Sequence, residues 1–263
     1  TQGVTAFNSN GFTIGSTDVL GLNNTSKNVV SWTFRKAPKF FDVVTYTGNS
    51  ADNRQIAHNL GSVPGMIIVK NTSRSSNWAT LHKDAGVTFL NGKGAAYDDG
   101  DTGSMFGNGS SRVNPTSTHF TVASSPNTNQ NNETHVAYIF AHNNGDGEFG
   151  PDSDQDIIKC GVYAGNSSSD GPEIDLGFEP QFVMIRNTGW SNGQFIMFDS
   201  MRGIVSGTGG DQLLFPAQNY AESPDTQIRA TPTGFKLESG NYDVNNNFNY
   251  IYMAIRRGSL FPP

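Results

Sequence analysis

The sequence repeats itself over most of its length, and this feature constrains its fold more than any other. Residues 46–50 read Tyr-Thr-Gly-Asn-Ser, and residues 163–167 read Tyr-Ala-Gly-Asn-Ser. The pattern Leu-Gly-x-x-Pro occurs at residues 60–64 and again at residues 176–180. The two copies are offset by 116 or 117 residues. A repeat of this length has the size of a whole domain, so the chain is predicted to contain a duplicated domain.

The opening of the chain matches the end of each repeat. Residues 11–14 resemble residues 234–237, and residues 30–36 resemble residues 251–257. Because the chain starts at Thr1 rather than at Met, we expect it to be a segment of a longer tandem array. The alternative is a natural start, in which the opening strands complete a sheet of a later repeat.

These matches predict the domain organisation. Residues 1–36 are expected to be the C-terminal strands of a preceding, partial repeat. Residues 37–145 and 152–263 are expected to be two β-sandwich repeats. The Gly- and Asn-rich residues 143–151 mark the boundary between them.

The composition predicts a fold made of short strands. Only 35% of the residues are apolar, and 30 residues are glycine. Short apolar runs such as Met-Ile-Ile-Val at 66–69 alternate with turn-forming residues, and no segment has the periodicity of an amphipathic helix. Residues 91–115 and 206–232 are predicted as long loops. We therefore predict an all-β fold of tandem β-sandwich, jelly-roll-like domains with long Gly-, Asn- and Ser-rich loops.

Charge and cysteine content exclude several classes of protein. The formal net charge of −6 disfavours binding to nucleic acid, because phosphate contacts depend on clustered Lys and Arg. No apolar run reaches the roughly 18 residues of a membrane span. Cys160 is the single cysteine and lies in a strand-like run, so it is expected to be a small buried residue without an intramolecular disulfide. This favours assembly in a reducing host cytoplasm.

Catalytic motifs are not found in the sequence. There is no Gly-x-Ser-x-Gly elbow and no phosphate-binding Gly-rich loop followed by Lys and Ser. The histidines are not kept between the copies: His82 aligns with Asp199, and His142 aligns with Arg257. We therefore predict that the protein is not an enzyme and needs no cofactor.

One acidic cluster is a weak candidate for a calcium site. Asp152, Asp154 and Asp156 have the spacing that opens a calcium-binding loop. An EF-hand needs Gly at the sixth position and Glu at the twelfth, where this chain has Ile157 and Tyr163. We therefore expect a solvated linker rather than a metal site.

The aromatic residues fall into two groups. Those that match between the copies, such as Phe120 with Phe235 and Trp78 with Phe195, are predicted to be core. Others lie in predicted loops and have no aromatic counterpart in the other copy. Loop aromatics can stack on sugars or anchor a protein partner, the alternative being local packing of a long loop. The candidate partner- or glycan-binding residues are Tyr97, Trp190, Tyr220 and Tyr242.

The order of the shared motifs carries a family resemblance. It runs from Tyr-x-Gly-Asn at 46–49 through Asn-Leu-Gly-x-x-Pro at 59–64 and Trp78 to a closing Tyr-Ile-Tyr-Met-Ala at 250–254. This order resembles a repeated β-rich domain of unknown function found in structural, tail-fibre-like proteins of marine tailed bacteriophages, including cyanophages. The resemblance implies a virion structural protein, and it transfers no catalytic residue.

The sequence and the resemblance together give three hypotheses. The first is a tail-fibre or adhesin segment that contacts the host surface through polar and aromatic loops. The second is a head-decoration or capsid-associated protein, and the third is a carbohydrate-binding module. The expected partners are other virion proteins and a host-surface glycan or protein, and the expected assembly is a homo-oligomer, a trimer by analogy. The expected location is the virion.

Overall fold

The structure is a computed structural model that describes residues 3–15, 22–23, 29–93, 104–204 and 211–258. Within these residues every regular element is a β-strand, so the predicted all-β class is confirmed. No helix with the length and apolar character of a membrane span occurs in the described part of the chain. The chain forms two compact units, Thr1–Arg35 and Lys36–Pro263.

The described part of the first unit contains a hairpin. Strands β1 (Val4–Asn8) and β2 (Gly11–Ile14) pair antiparallel. Residues 30–36, predicted to form a further strand, are not a strand in the structure. A strand requires a neighbour for its backbone hydrogen bonds, and β1 and β2 are the paired strands in the described part of this unit.

The first repeat has a large sheet and a small sheet. The large sheet has the order β3-β9-β5-β6-β7, and β4 pairs with β8 in the small sheet. The strands are β3 (Phe41–Thr47), β4 (Arg54–Ala57), β5 (Pro64–Asn71), β6 (Trp78–His82), β7 (Ala85–Phe89), β8 (His119–Val122) and β9 (Thr134–Ala141). The apolar run at 66–69 lies in the central strand β5 and is buried, as a strand covered on both faces should be.

The second repeat has the same plan. Its large sheet has the order β10-β18-β12-β13, and β11, β17 and β16 form a small sheet. The strands are β10 (Ile158–Ala164), β11 (Glu173–Asp175), β12 (Pro180–Asn187), β13 (Phe195–Asp199), β14 (Asp211–Leu213), β15 (Ser223–Asp225), β16 (Ile228–Thr231), β17 (Gly234–Leu237) and β18 (Asn249–Arg256). The prediction of a continuous loop at 206–232 is wrong, because β14, β15 and β16 lie within it. Strand β16 is held there by its hairpin with β17.

The Leu-Gly-x-x-Pro pattern forms the same turn in both repeats. Gly61 and Gly177 have φ angles of 73° and 74°, which glycine adopts at little cost. Pro64 and Pro180 begin β5 and β12, and each is followed by a register shift against the neighbouring strand. The pattern therefore specifies a turn and a strand entry, as the sequence predicts.

The Tyr-x-Gly-Asn pattern is explained by a buried asparagine. Asn245 is fully buried, and its Oδ1 accepts the backbone N–H of Asn166 at 3.0 Å. Its Nδ2 donates to Asn166 Oδ1 at 2.9 Å and to the carbonyl of Ser168 at 2.7 Å. A Cβ at Gly165 would lie 2.0 Å from the backbone oxygen of Asn246, so only glycine fits there. This amide anchor ties the turn after β10 to the loop before β18.

An equivalent amide anchor stands in the first repeat. Asn129 is fully buried and exchanges hydrogen bonds with Asn49 through the N–H of Asn49 and both side-chain amides. Its Nδ2 also donates to the carbonyl of Ala51 at 2.8 Å. A Cβ at Gly48 would lie 1.9 Å from the backbone oxygen of Gln130. The shared motif is therefore used for the same backbone construction in both copies.

The apolar cores follow the alternation of the strands. In the second repeat the inner face of the large sheet packs with β16 and β17 into one cluster that includes Val183, Ile185, Phe198, Phe235 and Tyr252. Phe120 and Phe195 are buried as predicted. Trp78 is only half-buried, because it lies at the end of β6 and stacks on Tyr138 with ring centroids 6.2 Å apart. The prediction that Trp78 is core is therefore wrong.

The two repeats contact each other through buried polar groups. His82 of the first repeat is 1% exposed, and its Nε2 lies 3.1 Å from the carbonyl oxygen of Tyr252 in the second. Cys160 is buried, as predicted, and its N–H donates to His142 Nδ1 at 3.2 Å. Arg186 is 2% exposed, and its guanidinium donates to the carbonyl oxygens of Phe89 and Gly92 in the first repeat. We call these interactions the inter-repeat contact.

The inter-repeat contact holds His82 in its neutral form. Its Nδ1 accepts the N–H of Asp84 at 3.2 Å, so the proton lies on Nε2 and is donated to Tyr252. Burial lowers the pKa of His82 from 6.5 to about 4, against the opposing effects of the Tyr252 carbonyl and the Asp84 carboxylate. A second proton on the ring would face the N–H of Asp84.

The first prediction concerns the amide anchor. Asn245→Asp removes two N–H donors and places a carboxylate against two oxygens, so we expect the free energy of unfolding to fall by about 2–3 kcal/mol. Urea denaturation followed by tryptophan fluorescence measures the change. The matched control is Asn247→Asp on an exposed residue, expected to cost less than about 0.5 kcal/mol. Equal effects of the two changes would show that the anchor is not structural.

The second prediction concerns pH. Because the folded pKa of His82 lies below its unfolded value, its contribution to stability is complete above pH 6.5 and is lost as the pH falls towards 4. We expect about 2 kcal/mol of this contribution to be lost at pH 5. Denaturation of the wild type and of His82→Gln at pH 7 and pH 5 isolates the effect. Parallel losses in both proteins would contradict it.

Candidate functional site

The candidate site lies at the end of the second repeat where β12 finishes. Asn187 is the last residue of β12 and is buried. Its Oδ1 accepts hydrogen bonds from the N–H groups of Gly189 and Trp190, both at 3.0 Å. An asparagine acceptor of this kind turns the backbone sharply at the strand end. The turn leaves the Trp190 ring half-buried at the surface.

The loop before β18 brings two further rings to the same place. Asn187 Nδ2 donates to the carbonyl oxygen of Tyr242 at 2.8 Å. The ring centroids of Trp190 and Tyr242 are 5.0 Å apart with 33° between the planes, and Phe248 lies 6.1 Å from Tyr242 at 42°. Both separations are within the range of favourable aromatic pairs. Tyr242 is 49% exposed and the other two rings are half-buried. We call these three rings the aromatic platform.

The backbone under the aromatic platform is duplicated in the first repeat. Asn71 Nδ2 donates to the carbonyl of Pro126, as Asn187 Nδ2 does to that of Tyr242. The N–H of Gly48 donates to the carbonyl of Glu133, as that of Gly165 does to the carbonyl of Phe248. These bonds make Pro126 and Glu133 the structural counterparts of two platform residues. The repeat offset makes Arg74 the counterpart of Trp190.

The side chains at these counterpart positions differ in chemistry between the two repeats. In the first repeat Arg74 Nε donates to Glu133 Oε1 at 2.9 Å, and the two side chains form an ion pair. Hydrogen bonding from Arg74 lowers the pKa of Glu133 below its usual value. In the second repeat the same positions carry Trp190 and Phe248. An ion pair on one copy is thus exchanged for two half-buried aromatic rings on the other.

The loops that carry the aromatic platform are rich in amides and poor in charge. Several polar residues near Trp190 or Phe248 in the sequence are exposed, namely Ser191, Asn192 and Asn247. Asp243 is the one acidic or basic residue in segments 187–194 and 239–249. Burial raises the pKa of its carboxyl group. Two charged residues from outside these loops, Asp225 and Lys93, also act on the Asp243 carboxyl group. The loops themselves offer mainly neutral donors and acceptors.

The structure brings together two of the four predicted binding residues. Trp190 and Tyr242 are in ring contact. Tyr220 is 64% exposed and makes no ring contact in the described part of the chain. Tyr97 lies outside the described residues. The sequence analysis did not predict Phe248. The signal that could have found it is its alignment with the charged Glu133, which indicates an apolar residue at a surface position.

The three aspartates of the weak calcium candidate have different surroundings. Asp152 and Asp154 are exposed, whereas the two carboxylate oxygens of Asp156 accept the N–H groups of Gly145 and Gly147 at 2.9 Å each. Among the described residues no group of three His, Cys, Asp or Glu side chains could hold a metal ion.

Asn143, near the end of the first repeat, bonds across the linker. It is fully buried. Its Oδ1 accepts the N–H groups of Ile157 and Ile158, and its Nδ2 donates to the carbonyl of Lys39 at 2.9 Å. This amide joins the start of the second repeat to the first repeat.

Burial affects four of the five histidines. Burial lowers the pKa of His58, His82, His135 and His142. His135 Nδ1 lies 3.0 Å from the carbonyl oxygen of Glu133, and its ring stacks on Tyr46. In the second repeat Tyr250 stacks on Tyr163 in the corresponding way.

A cavity of about 230 Å³ lies beside β5 and β6. Its wall includes Val63, Met66, Lys83, Arg112 and Pro115. Lys83 forms an ion pair with Asp84, with Nζ 2.7 Å from Oδ1. Arg112 donates to the carbonyl of Ala85 at 2.9 Å. The volume is below that of most ligand pockets, and both cations already have partners.

The third prediction separates the aromatic platform from the core. Trp190 is half-buried, so Trp190→Ala is expected to lower the free energy of unfolding by about 1 kcal/mol or less. Phe235→Ala in the core, where the ring is fully buried, is expected to lower it by about 3–5 kcal/mol. Chemical denaturation followed by far-UV circular dichroism measures both. A loss at Trp190 as large as that at Phe235 would show that the ring is a packing residue.

Comparisons with known proteins give one family and one distant structure. No match was found among curated proteins. A solved structure titled "Crystal Structure of the STIV MCP" aligns with 83% of this chain and 92% of its own, at 8% identity and a TM-score of 0.22. A TM-score this low supports no conclusion about fold or function. Residues 1–257 match the family described as "Domain of unknown function (DUF7483)". Because this match spans both repeats and the opening segment, the chain belongs to that family.

Proposed function

We propose that this protein is a structural component of a bacteriophage virion. In this proposal it is a segment of a tail fibre or adhesin that touches the host surface through the loop end of its second repeat. It acts by binding and by mechanical support, without catalysis. A homo-oligomer, a trimer by analogy with fibres, belongs to the same proposal, as do contacts with other virion proteins.

The main support is the division of labour between shared and exchanged residues. The residues that the repeats share build turns, amide anchors and cores, as Asn129 and Asn245 do. The residues at the loop ends are exchanged, as Arg74 is for Trp190. A duplicated enzyme would keep reactive groups in at least one place, whereas a structural module keeps its frame and varies its surface.

The inter-repeat contact gives a second line of support. Both repeats belong to one compact unit, and buried hydrogen bonds of His82, Cys160 and Arg186 join them. Buried charge and imidazole groups fix one relative arrangement, because any other would leave them without partners. A stiff pair of sandwiches suits a part that transmits force to a surface.

The fourth prediction tests the location. Antibodies raised against the purified chain are applied to phage particles from an infected culture of the source host, and gold label is located by electron microscopy. Label on the tail or its fibres supports the proposal. Label confined to the head shell contradicts the fibre assignment and favours the head-decoration alternative. Particles without label, and without peptides of this chain in mass spectrometry, contradict a virion role.

A further inference from the structure

We propose that the aromatic platform binds a neutral oligosaccharide. This inference deepens the proposed adhesive function and rests on it, because it names the chemical class of the surface that the second repeat would touch. It depends on three observations: the rings, of which Tyr242 is exposed and the other two are half-buried, the neutral amides near them in sequence, and the exchange of two of these positions for an ion pair in the first repeat.

The geometry of the rings suits a sugar. Trp190 and Tyr242 are held side by side, with centroids 5.0 Å apart and 33° between their planes. The C–H face of a pyranose is apolar and can lie on an exposed aromatic face, while its edge keeps its hydroxyl groups. The backbone that carries both rings is fixed, because Asn187 bonds the N–H of Trp190 and the carbonyl of Tyr242. The platform therefore exists before a ligand arrives, which lowers the entropic cost of binding.

The surroundings of the rings favour hydroxyl groups over a protein surface. Val244 is the one aliphatic residue in segments 187–194 and 239–247, and it is fully buried. A protein-docking site needs a broad apolar centre of several hundred Å² around its aromatic anchors. Here the exposed neighbours in sequence are Asn192 and Asn247. Side-chain amides donate and accept hydrogen bonds at once, as sugar hydroxyl groups require.

The charge of the site favours a neutral ligand. The two loops carry no Lys or Arg, and Asp243 is their one acidic residue. The cation that acts on this place is Lys93 of the first repeat, and its charge is opposed by that of Asp243. An acidic sugar would therefore meet a carboxylate beside that cation. In the first repeat the counterpart positions hold Arg74 and Glu133, whose charges neutralise each other and whose side chains offer no ring. Binding should therefore be confined to the second repeat.

The fifth prediction is a binding experiment on the full chain. Fluorescently labelled protein is applied to an array of neutral, sialylated and uronic-acid-containing oligosaccharides, and hits are titrated by isothermal titration calorimetry, which does not depend on Trp190. We expect binding to neutral oligosaccharides, and at least a tenfold loss of affinity in Trp190→Ala and in Tyr242→Ala. Arg74→Ala, at the matched position of the first repeat, is the control and should bind as the wild type does. Thermal melting verifies that each variant is folded.

The outcomes separate this inference from the proposed function. Binding that survives in both platform variants, binding to acidic glycans alone, or no glycan binding by the wild type would each overturn the inference. If the array is negative while gold label lies on the tail, the glycan inference fails and the virion assignment stands. If neutral glycans bind through Trp190 while particles carry no label, the site is supported and the virion assignment fails. Trp190→Phe, which keeps a ring, should retain part of the affinity lost in Trp190→Ala.

Discussion

The amide of one buried asparagine in each repeat is the constraint on which the loop ends depend. Asn129 and Asn245 each have no exposed surface, and each bonds a turn that follows the first strand of its repeat. Both turns are long and polar, so apolar burial could not hold them in one conformation. Because the amide donates and accepts at once, no other side chain of similar size satisfies the same backbone groups. Two rings of the aromatic platform, Tyr242 and Phe248, lie on the loop that Asn245 anchors.

The two repeats are joined by buried polar groups. Removing such groups from water is costly unless they find partners, so these groups favour the one arrangement of the repeats in which they are bonded. Arg186 has a pKa lowered to about 10 by burial, and its guanidinium lies 5.1 Å from the ring centroid of Phe195 while donating to carbonyls of the first repeat. The equivalent Lys70 instead bonds Ser76 within its own repeat. Lys70 thus bonds within its own repeat, whereas Arg186 at the equivalent position bonds to the other repeat.

Much of the fold could be predicted from the sequence, because the relevant signals are local. The apolar runs of β5 and β12, the turn glycines and the duplication itself are all visible in the residues. Strand β16 could not be predicted, since its four residues are stabilised by pairing with β17 rather than by their own pattern. The inter-repeat contact joins His82 to Tyr252 across 170 residues, and no short-range pattern marks such a pair. Two residues of the site, Trp190 and Tyr242, could be predicted, because they are loop aromatics without an aromatic counterpart in the other repeat. Phe248 stands out only when it is aligned with Glu133.

The exchange of Arg74, Pro126 and Glu133 for Trp190, Tyr242 and Phe248 has a consequence for how such proteins diversify. The hydrogen bonds of Asn71 and Asn187 that hold this backbone reach the exchanged residues through main-chain atoms, with one exception. The exception is Glu133, whose carboxylate accepts a hydrogen bond from the amide of Asn71. The side chains at either end can therefore be exchanged by three substitutions, with no change in the strands beneath. The surface chemistry of one repeat can change in this way while that of the other stays as it is.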